Sequence, residues 1–346
     1  MSQDVKITRL GIDIGKSTFH VAGLDHLGHP VYRHKFTRDR LLQFLARASS
    51  MIVGMEACPG SNWLARKAAA FGHEVKIVPA QFVKPFVKSN KTDIVDAEAI
   101  AEAISRPTMR FTSPKSEAQL DLQALHRVRE RLVSSKTAVI NQARAFLLEC
   151  GMTLATGAAY FVREMPGVLS DEENGITPAM RELLMSLWAE YRAIEERILI
   201  LRHKIESIAK ADDAASRLTS VPGIGQLTAT AITAFAGNGA QFKSGRHLAS
   251  WLGLVPKEHS TGGKQHLLGI SKRGNPYLRK LLIHGARTCV LHLDRTQNQL
   301  GIWIAHMEAK GTHRNKVVVA LANKLARIAW VILTGKNATY LQRPQP

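Results

Sequence analysis

Four carboxylates in the first hundred residues stand where a divalent cation could use them. Asp13 interrupts the apolar run Leu10-Gly11-Ile12-Asp13-Ile14-Gly15, and Glu56 ends another, Met51-Ile52-Val53-Gly54-Met55-Glu56. Asp93 and Asp96 lie three apart at the start of an alanine-rich helical pattern, where they share one face, and Thr92 is placed to cap that helix. Carboxylate oxygens gathered from strand ends and a helix face suit Mg²⁺ or Mn²⁺. Two such ions can stabilise the attacking and the leaving oxygen of a phosphodiester displacement. A lone Asp-x-x-Asp is more often solvated helix surface; all four acids in this order are far more specific. Glu98 and Glu102 continue the acidic face as alternative ligands.

Three basic or glycine-rich stretches accompany the acids. Lys84, Lys88 and Lys91 interleave with Phe82, Pro85 and Phe86, a seat for a nucleic-acid backbone or an ordinary surface loop. Leu218-Thr219-Ser220-Val221-Pro222-Gly223-Ile224-Gly225 precedes a helical stretch and looks like the hairpin of a helix-hairpin-helix element. There, Gly223 and Gly225 would let backbone N–H groups approach a phosphate; the alternative is a tight turn between packed helices. Further on come Gly253-Leu254-Val255-Pro256, Ser260-Thr261-Gly262-Gly263-Lys264 and Lys272-Arg273-Gly274-Asn275, then Arg279 and Lys280. A serine before two glycines lies on a mobile or unusual backbone and becomes a nucleophile if a metal or base activates it. On local grounds a phosphate-binding loop using Lys264, Lys272, Arg273 and Arg279, or a merely structural one, is the plainer reading.

The elements that must position these groups follow from periodicity. Apolar runs near 8–14, 18–24, 30–36, 51–56 and 74–79 predict five strands, the first three joined by hairpin-length links. Helical patterns near 38–47, 61–71 and 92–104 follow. A three-strand meander followed by alternating helix and strand is the order of a ribonuclease H-like α/β domain, placed at 1–112. From Glu117 the pattern is helical, with Leu125, Val128, Leu132, Val139 and Phe146 on one stripe. Residues 151–179, with several glycines, Pro166 and Pro178, read as a helical break or loop. Met180, Leu184, Leu187, Tyr191, Ile194, Ile198, Leu201, Ile205 and Ile208 then alternate spacings of four and three. That heptad seam predicts a coiled coil with the 117–149 helix or with a second subunit, the alternative being an ordinary helix packed within its own chain, in a helical coiled-coil or linker region at 113–210. Residues 211–346 read as a mainly helical, basic third unit.

Composition agrees with a nucleic-acid partner. The 346 residues are 45% hydrophobic and 22% charged, ordinary for a globular protein with a sizeable core, but the net charge of +19 favours a polyanion over a membrane surface. The three cysteines, Cys58, Cys150 and Cys289, form no CxxC pair and fit a reducing cytoplasm. The N-terminus lacks the plan of a signal peptide, and no stretch reaches the roughly 20 uninterrupted apolar residues of a membrane span. The 14 histidines show no zinc-ligand spacing.

Taken together, these residues resemble the DEDD transposases of bacterial insertion sequences, the group described as bridge RNA-guided recombinases. The resemblance runs over nearly the whole chain, through Gly-Ile-Asp at 11–13, Met-Glu-Ala at 55–57, Lys-Thr-Asp-Ile-Val-Asp-Ala at 91–97, Pro-Gly-Ile-Gly at 222–225, Gly-Leu-Val-Pro at 253–256 and the block from Ser-Thr-Gly-Gly to Lys-Arg-Gly-Asn. It implies an N-terminal domain like the RuvC Holliday-junction resolvase, a coiled-coil middle and a C-terminal transposase domain. It implies Mg²⁺ on Asp13, Glu56, Asp93 and Asp96, and a C-terminal serine that forms a phosphoserine link to DNA. Ser260 is the match for that serine, with Thr261 one alignment step away. Metal activation is the simpler hypothesis for it, since His259 has no motif support as a general base. The resemblance also implies donor and target DNA chosen by pairing with an element-encoded guide RNA. It further implies dimers and tetramers with composite sites, and a cytoplasmic, nucleoid-associated bacterial protein.

Two rivals make different demands. An actin-like sugar kinase also opens with Gly-Ile-Asp-Ile-Gly-Lys-Ser-Thr, but it needs ATP, a second β-domain and near-neutral charge. Gly15-Lys16-Ser17 is not a Walker A loop either, because the required earlier glycine is Leu10. A non-catalytic or purely hydrolytic nucleic-acid-binding protein of the resolvase fold is the other rival, and the intact acids count against the non-catalytic form.

Overall fold

A computed structural model describes residues 6–87, 92–335 and 337–340. The chain divides into two compact units, Met1–Ser116 and Glu117–Pro346, the first mixed α/β and the second mainly helical.

In the first unit an antiparallel meander of β1 (Arg9–Ile14), β2 (Thr18–Leu24) and β3 (Pro30–Thr37) leads into α1 (Arg38–Arg47), β4 (Ile52–Glu56), α2 (Ser61–Ala70) and β5 (Glu74–Val78). A short α3 (Ala80–Val83) and a 3-10 turn (Lys84–Phe86) precede α4 (Asp93–Ala103). The sheet order is β3-β2-β1-β4-β5, with β4 parallel to both β1 and β5. All five strands and the three longer helices lie where the apolar periodicity predicts them.

Side-chain alternation divides the sheet into two faces. Leu10 and Ile12 of β1, Phe19 and Val21 of β2, and Val53 and Met55 of β4 pack with Leu41 and Leu45 of α1 and Leu64, Ala65 and Ala68 of α2. The other face receives α4. Its Ala97 and Ala101 lie over Gly11, so close that a Cβ there would sit 2.1 Å from the carbonyl oxygen of Ala97, and Ile104, just past its end, lies over Gly54. Small residues on both partners therefore set the distance of α4 from the sheet. Edge strand β3 turns Arg33, His34 and Lys35 to solvent, which discourages pairing with a further strand.

The second unit begins with two long helices, α5 (Glu117–Glu149, 33 residues) and α7 (Pro178–Ala211, 34 residues), each roughly 50 Å long at 1.5 Å rise. The heptad seam lies on one face of α7. Its Leu184, Tyr191, Ile194 and Ile198 pack with Leu132, Val139, Ile140, Ala143 and Leu147 of α5. Lys136 Nζ reaches Glu195 Oε2 across the pair at 2.7 Å. Two expectations need correction. The loop anticipated at 151–179 contains α6 (Ala158–Ser170), whose Phe161 and Met165 close the same core. Pro166 is tolerated inside it because Pro166 and Val162, whose carbonyl it cannot bond, lie on the exposed face. In the first half of α5, Val128 is 41% exposed, and the buried face instead carries Leu122, Gln123 and His126.

These polar residues dock α5 onto the rest of the unit. Gln123 Nε2 donates to the Ala234 carbonyl at 2.7 Å, and His126 lies between the Tyr277 hydroxyl (3.0 Å) and Thr230 Oγ1 (3.1 Å). Around them pack α8 (Asp213–Leu218), α9 (Gln226–Ala236), α10 (Gly245–Trp251), α11 (Pro276–His292), α12 (Gln299–Ala309) and α13 (Arg314–Thr334). Length and composition alone would let α13 cross a membrane, yet half of its apolar window is buried in this helical core. The unit also holds a hairpin that the expectation of a helical segment did not include, β6 (Pro256–Glu258) with β7 (Leu267–Ile270).

Candidate functional site

The acidic cluster is built by strand register and one helix. Residues Arg9 to Ile12 pair in parallel with Ile52 to Met55, so one further step places Glu56 beside Asp13 at the ends of adjacent strands. Asp13 and Glu56 share the face of Gly11 and Gly54, the face on which α4 lies. Thr92 caps α4, its Oγ1 accepting from the Val95 N–H at 3.4 Å, and the first turn carries Asp93 and Asp96. One carboxylate oxygen from each of Asp13, Asp93 and Asp96 lies within 4.8 Å of the others, with Asp93 exposed and the other two half-buried.

Carboxylates this close repel one another, and the positive N-terminal end of α4 offsets only part of that repulsion. A hard divalent cation would offset the rest, and three oxygen donors of this kind could hold one. Glu56, half-buried beside Asp13 on the neighbouring strand, is not among the three whose oxygens converge. Burial pushes the Cys58 thiol up, and the charges of Glu56 and Asp13 push it further in the same direction. The alternatives Glu98 and Glu102 are held by cations of their own, Glu98 by Arg33 and Glu102 by Arg106 at 2.7 Å.

A residue that the sequence reading passed over also reaches the cluster. Asp13 pairs across the antiparallel ladder with His20, and His20 Nδ1 lies 3.4 Å from Asp93 Oδ2. The short Gly15-Lys16-Ser17 link fixes that register, so counting back from the hairpin would have found it. Lys84 is exposed on the 3-10 turn beside this unit's α4, whereas Lys88 and Lys91 lie outside the described residues. Phe82 and Phe86 turn inward to the cluster of Val83, Ile100 and Ile104. They pack the core rather than offering a stacking platform.

In the second unit Ser260 stands near the tip of the β6–β7 hairpin. Glu258 pairs with Leu267 and Thr261 with Lys264, so Ser260 faces Gln265 across the hairpin. Gly262 and Gly263 close it with φ of +57° and +75°, the combination a two-residue type I′ turn requires. Ser260 Oγ donates to Glu258 Oε1 at 2.7 Å, and Gln265 Nε2 donates to the same oxygen at 3.3 Å. Alternation turns Thr261 to the opposite face, and Lys264 is exposed at the turn.

The base of the hairpin joins two of the sequence motifs. Ser271 N–H donates to the Val255 carbonyl at 2.8 Å and Lys272 N–H to the Gly253 carbonyl at 3.1 Å. Lys272 and Arg273 are exposed on this loop. Arg279 is not: its Nη1 donates to the carbonyls of Leu252 and Arg273, both at 2.9 Å, and so braces the loop from below. The Val221–Ile224 turn links α8 to α9. Gly223 packs against Gly285 of α11, whereas Gly225, the N-cap of α9, faces open space.

Known proteins are similar in sequence to this chain over nearly its whole length. The family model described as "Transposase IS116/IS110/IS902 family" matches residues 215–300, and the DEDD model of IS110 transposases, described as "Transposase", matches residues 10–152. The chain is 43% identical to the transposase for insertion sequence element IS1111A of Coxiella burnetii, over 98% of this chain and 92% of that one. It is 42% identical to the transposase for insertion sequence element IS1328 of Yersinia enterocolitica, over 95% and 97%. A pilin gene-inverting protein of Moraxella bovis is 25% identical over 94% and 95%. With the acidic cluster and the serine hairpin falling inside the two matched regions, the chain belongs to the DEDD transposases of the IS110 family, enzymes that cleave and rejoin DNA.

Proposed function

We propose that this transposase exchanges DNA strands through a covalent phosphoserine link at Ser260, with Mg²⁺ (or Mn²⁺) held by Asp13, Glu56, Asp93 and Asp96. The observation that carries the reading is the convergence of Asp13, Asp93 and Asp96 oxygens within 4.8 Å of one another. When bound there, a divalent cation supplies Lewis-acid stabilisation of the charge that builds on a phosphoryl group. The chain's own groups do the rest. Ser260 Oγ attacks phosphorus and holds the cut end. Exposed Lys264, Lys272 and Arg273, with Lys84, Lys88 and Lys91, hold backbone phosphates in position. The N–H groups following Gly225 offer a further phosphate seat at the start of α9. Support for Ser260 over Thr261 comes from the hairpin: Ser260 shares a face with a hydrogen-bonded carboxylate, and Thr261 points the other way.

Base pairing with a guide RNA encoded by the element would choose donor and target sequences, leaving the protein to read backbone and shape. The +19 charge supports a requirement to neutralise two polyanions. We further propose three functional segments: 1–112 for the metal, 113–210 as a helical coiled-coil region and 211–346 for the serine, with the 218–236 segment acting as a helix-hairpin-helix. Dimers that assemble to tetramers in the bacterial cytoplasm, at the nucleoid, complete the reading.

The test incubates the protein with Mg²⁺, RNA transcribed from the element's noncoding end and duplex DNA carrying the element's joined ends. Strand cleavage is expected in the wild type and not after EDTA or in Asp13→Asn. Cleavage that persists in a folded Asp13→Asn protein would sink the metal assignment. Cleavage that is unchanged without the RNA would sink the guide.

A further inference from the structure

We infer that Glu258 is the group that takes the proton from Ser260, making it a further catalytic residue of the strand-exchange reaction. The inference rests on the reading of Ser260 as the nucleophile and adds what activates it.

A serine hydroxyl is a weak nucleophile until an adjacent base accepts its proton, and the arrangement to look for is a base within hydrogen-bond reach that a third group holds in place. The hairpin supplies both parts. Ser260 Oγ donates to Glu258 Oε1 at 2.7 Å, and Gln265 Nε2 fixes that oxygen from the opposite strand at 3.3 Å. Register explains the meeting: Glu258 ends β6, Ser260 follows two residues on in the same arm of the hairpin and so shares its face, and Gln265 lies across from Ser260. The type I′ turn at Gly262-Gly263 holds the strands in that register. His259, the neighbouring titratable side chain, alternates to the other face. Among the described residues Glu258 takes part in no ion pair, so its carboxylate is not committed to a cation.

The step balances without an external oxidant or reductant. The Ser260 Oγ–phosphorus bond forms as the bond from phosphorus to the leaving deoxyribose oxygen breaks. The Oγ proton passes to Glu258, and the leaving oxygen takes a proton from water. In rejoining, an incoming deoxyribose hydroxyl attacks phosphorus and loses its proton to water. The Oγ–phosphorus bond breaks, and Glu258 returns its proton to Oγ.

The test is single-turnover formation of the denaturation-resistant protein–DNA adduct by the full-length protein, with the joined-end DNA, Mg²⁺ and the element's RNA. Glu258→Gln keeps a side chain of the same shape but cannot take the proton. We expect it to bind the DNA as the wild type does and to form adduct about 100-fold more slowly. Glu258→Ala should be similarly slow and should recover part of its rate on addition of formate, a small carboxylate that can enter the gap; a purely structural role would not respond to it. If Ser260→Ala loses the adduct while Glu258→Gln forms it at the wild-type rate, the Glu258 assignment is overturned and Ser260 stands. If Ser260→Ala still forms the adduct, both assignments fall.

Discussion

The Cβ that Gly11 lacks would lie 2.1 Å from the carbonyl oxygen of Ala97, so the first strand and α4 approach more closely than any side chain at Gly11 allows. That distance brings the first turn of α4, with Asp93 and Asp96, over Asp13. Gly11→Ala should therefore damage stability and metal binding together. We expect a loss of about 3 kcal/mol in chemical denaturation, the upper part of the range for overpacking, with weaker divalent-ion dependence of cleavage. Gly54→Ala is the control. Its Cβ would meet first the side chain of Ile104, at 2.5 Å, rather than backbone, so a smaller loss is expected. Equal effects of the two substitutions would contradict this account of the helix position.

His20 supports the cluster from the second strand, 3.4 Å from Asp93. Partners of this kind orient metal ligands, and their removal typically costs 10–100-fold in metal affinity or activity. His20→Ala should raise the Mg²⁺ concentration needed for half-maximal cleavage at least about ten-fold. A magnesium titration that superimposes on the wild type would remove His20 from the site.

A buried histidine should give the protein an acid-sensitive joint. Burial, helped by the charge of Arg129, pushes His126 down to about 4 from 6.5, and the ring stays neutral between Tyr277 and Thr230. As pH falls from 6.5 towards 4 the unfolded chain takes up a proton that the folded chain refuses, so stability is lost across that window and the loss levels off below it. The expected size is on the order of 3 kcal/mol. Urea denaturation at pH 7 and pH 4.5 should show a smaller drop for His126→Gln than for the wild type. Identical drops would exclude His126 as the cause.

The basic residues of the serine unit should separate into two kinds. Lys264 is exposed, so Lys264→Ala should lower the slope of log affinity for DNA against log salt by about one phosphate contact, roughly 0.9. Arg279 is tied to the Leu252 and Arg273 carbonyls. Arg279→Ala should lower thermal stability and leave the salt slope unchanged, because its guanidinium is already engaged by those carbonyls. A lower slope in Arg279→Ala would show that the guanidinium leaves those carbonyls to meet phosphate.

The first unit was legible in the sequence because its strands alternate cleanly and its turns are short. Asp13, Asp93 and Asp96 meet because the period of the strand and the Asp-x-x-Asp spacing each fix a face. His20 escaped because its partner lies across a hairpin rather than along the chain. The serine hairpin was harder to read. Polar and glycine residues dominate Lys257–Gln265, so alternation carries no hydrophobic signal, and Glu258 emerged only from the pairing register. α6 was hidden by Pro166, whose cost is tolerated on an exposed face. Arg279 shows the opposite limit: a basic motif residue looks the same in sequence whether it faces phosphate or its own backbone.

The most direct test of strand exchange through Ser260 is mass spectrometry of the protease-digested protein–DNA adduct trapped in Mg²⁺. A nucleotide phosphate should map to Ser260 on the peptide spanning the hairpin, and no modified peptide should be recovered from Ser260→Ala. A phosphate on Thr261 or elsewhere, or cleaved DNA with no protein attached, would contradict it.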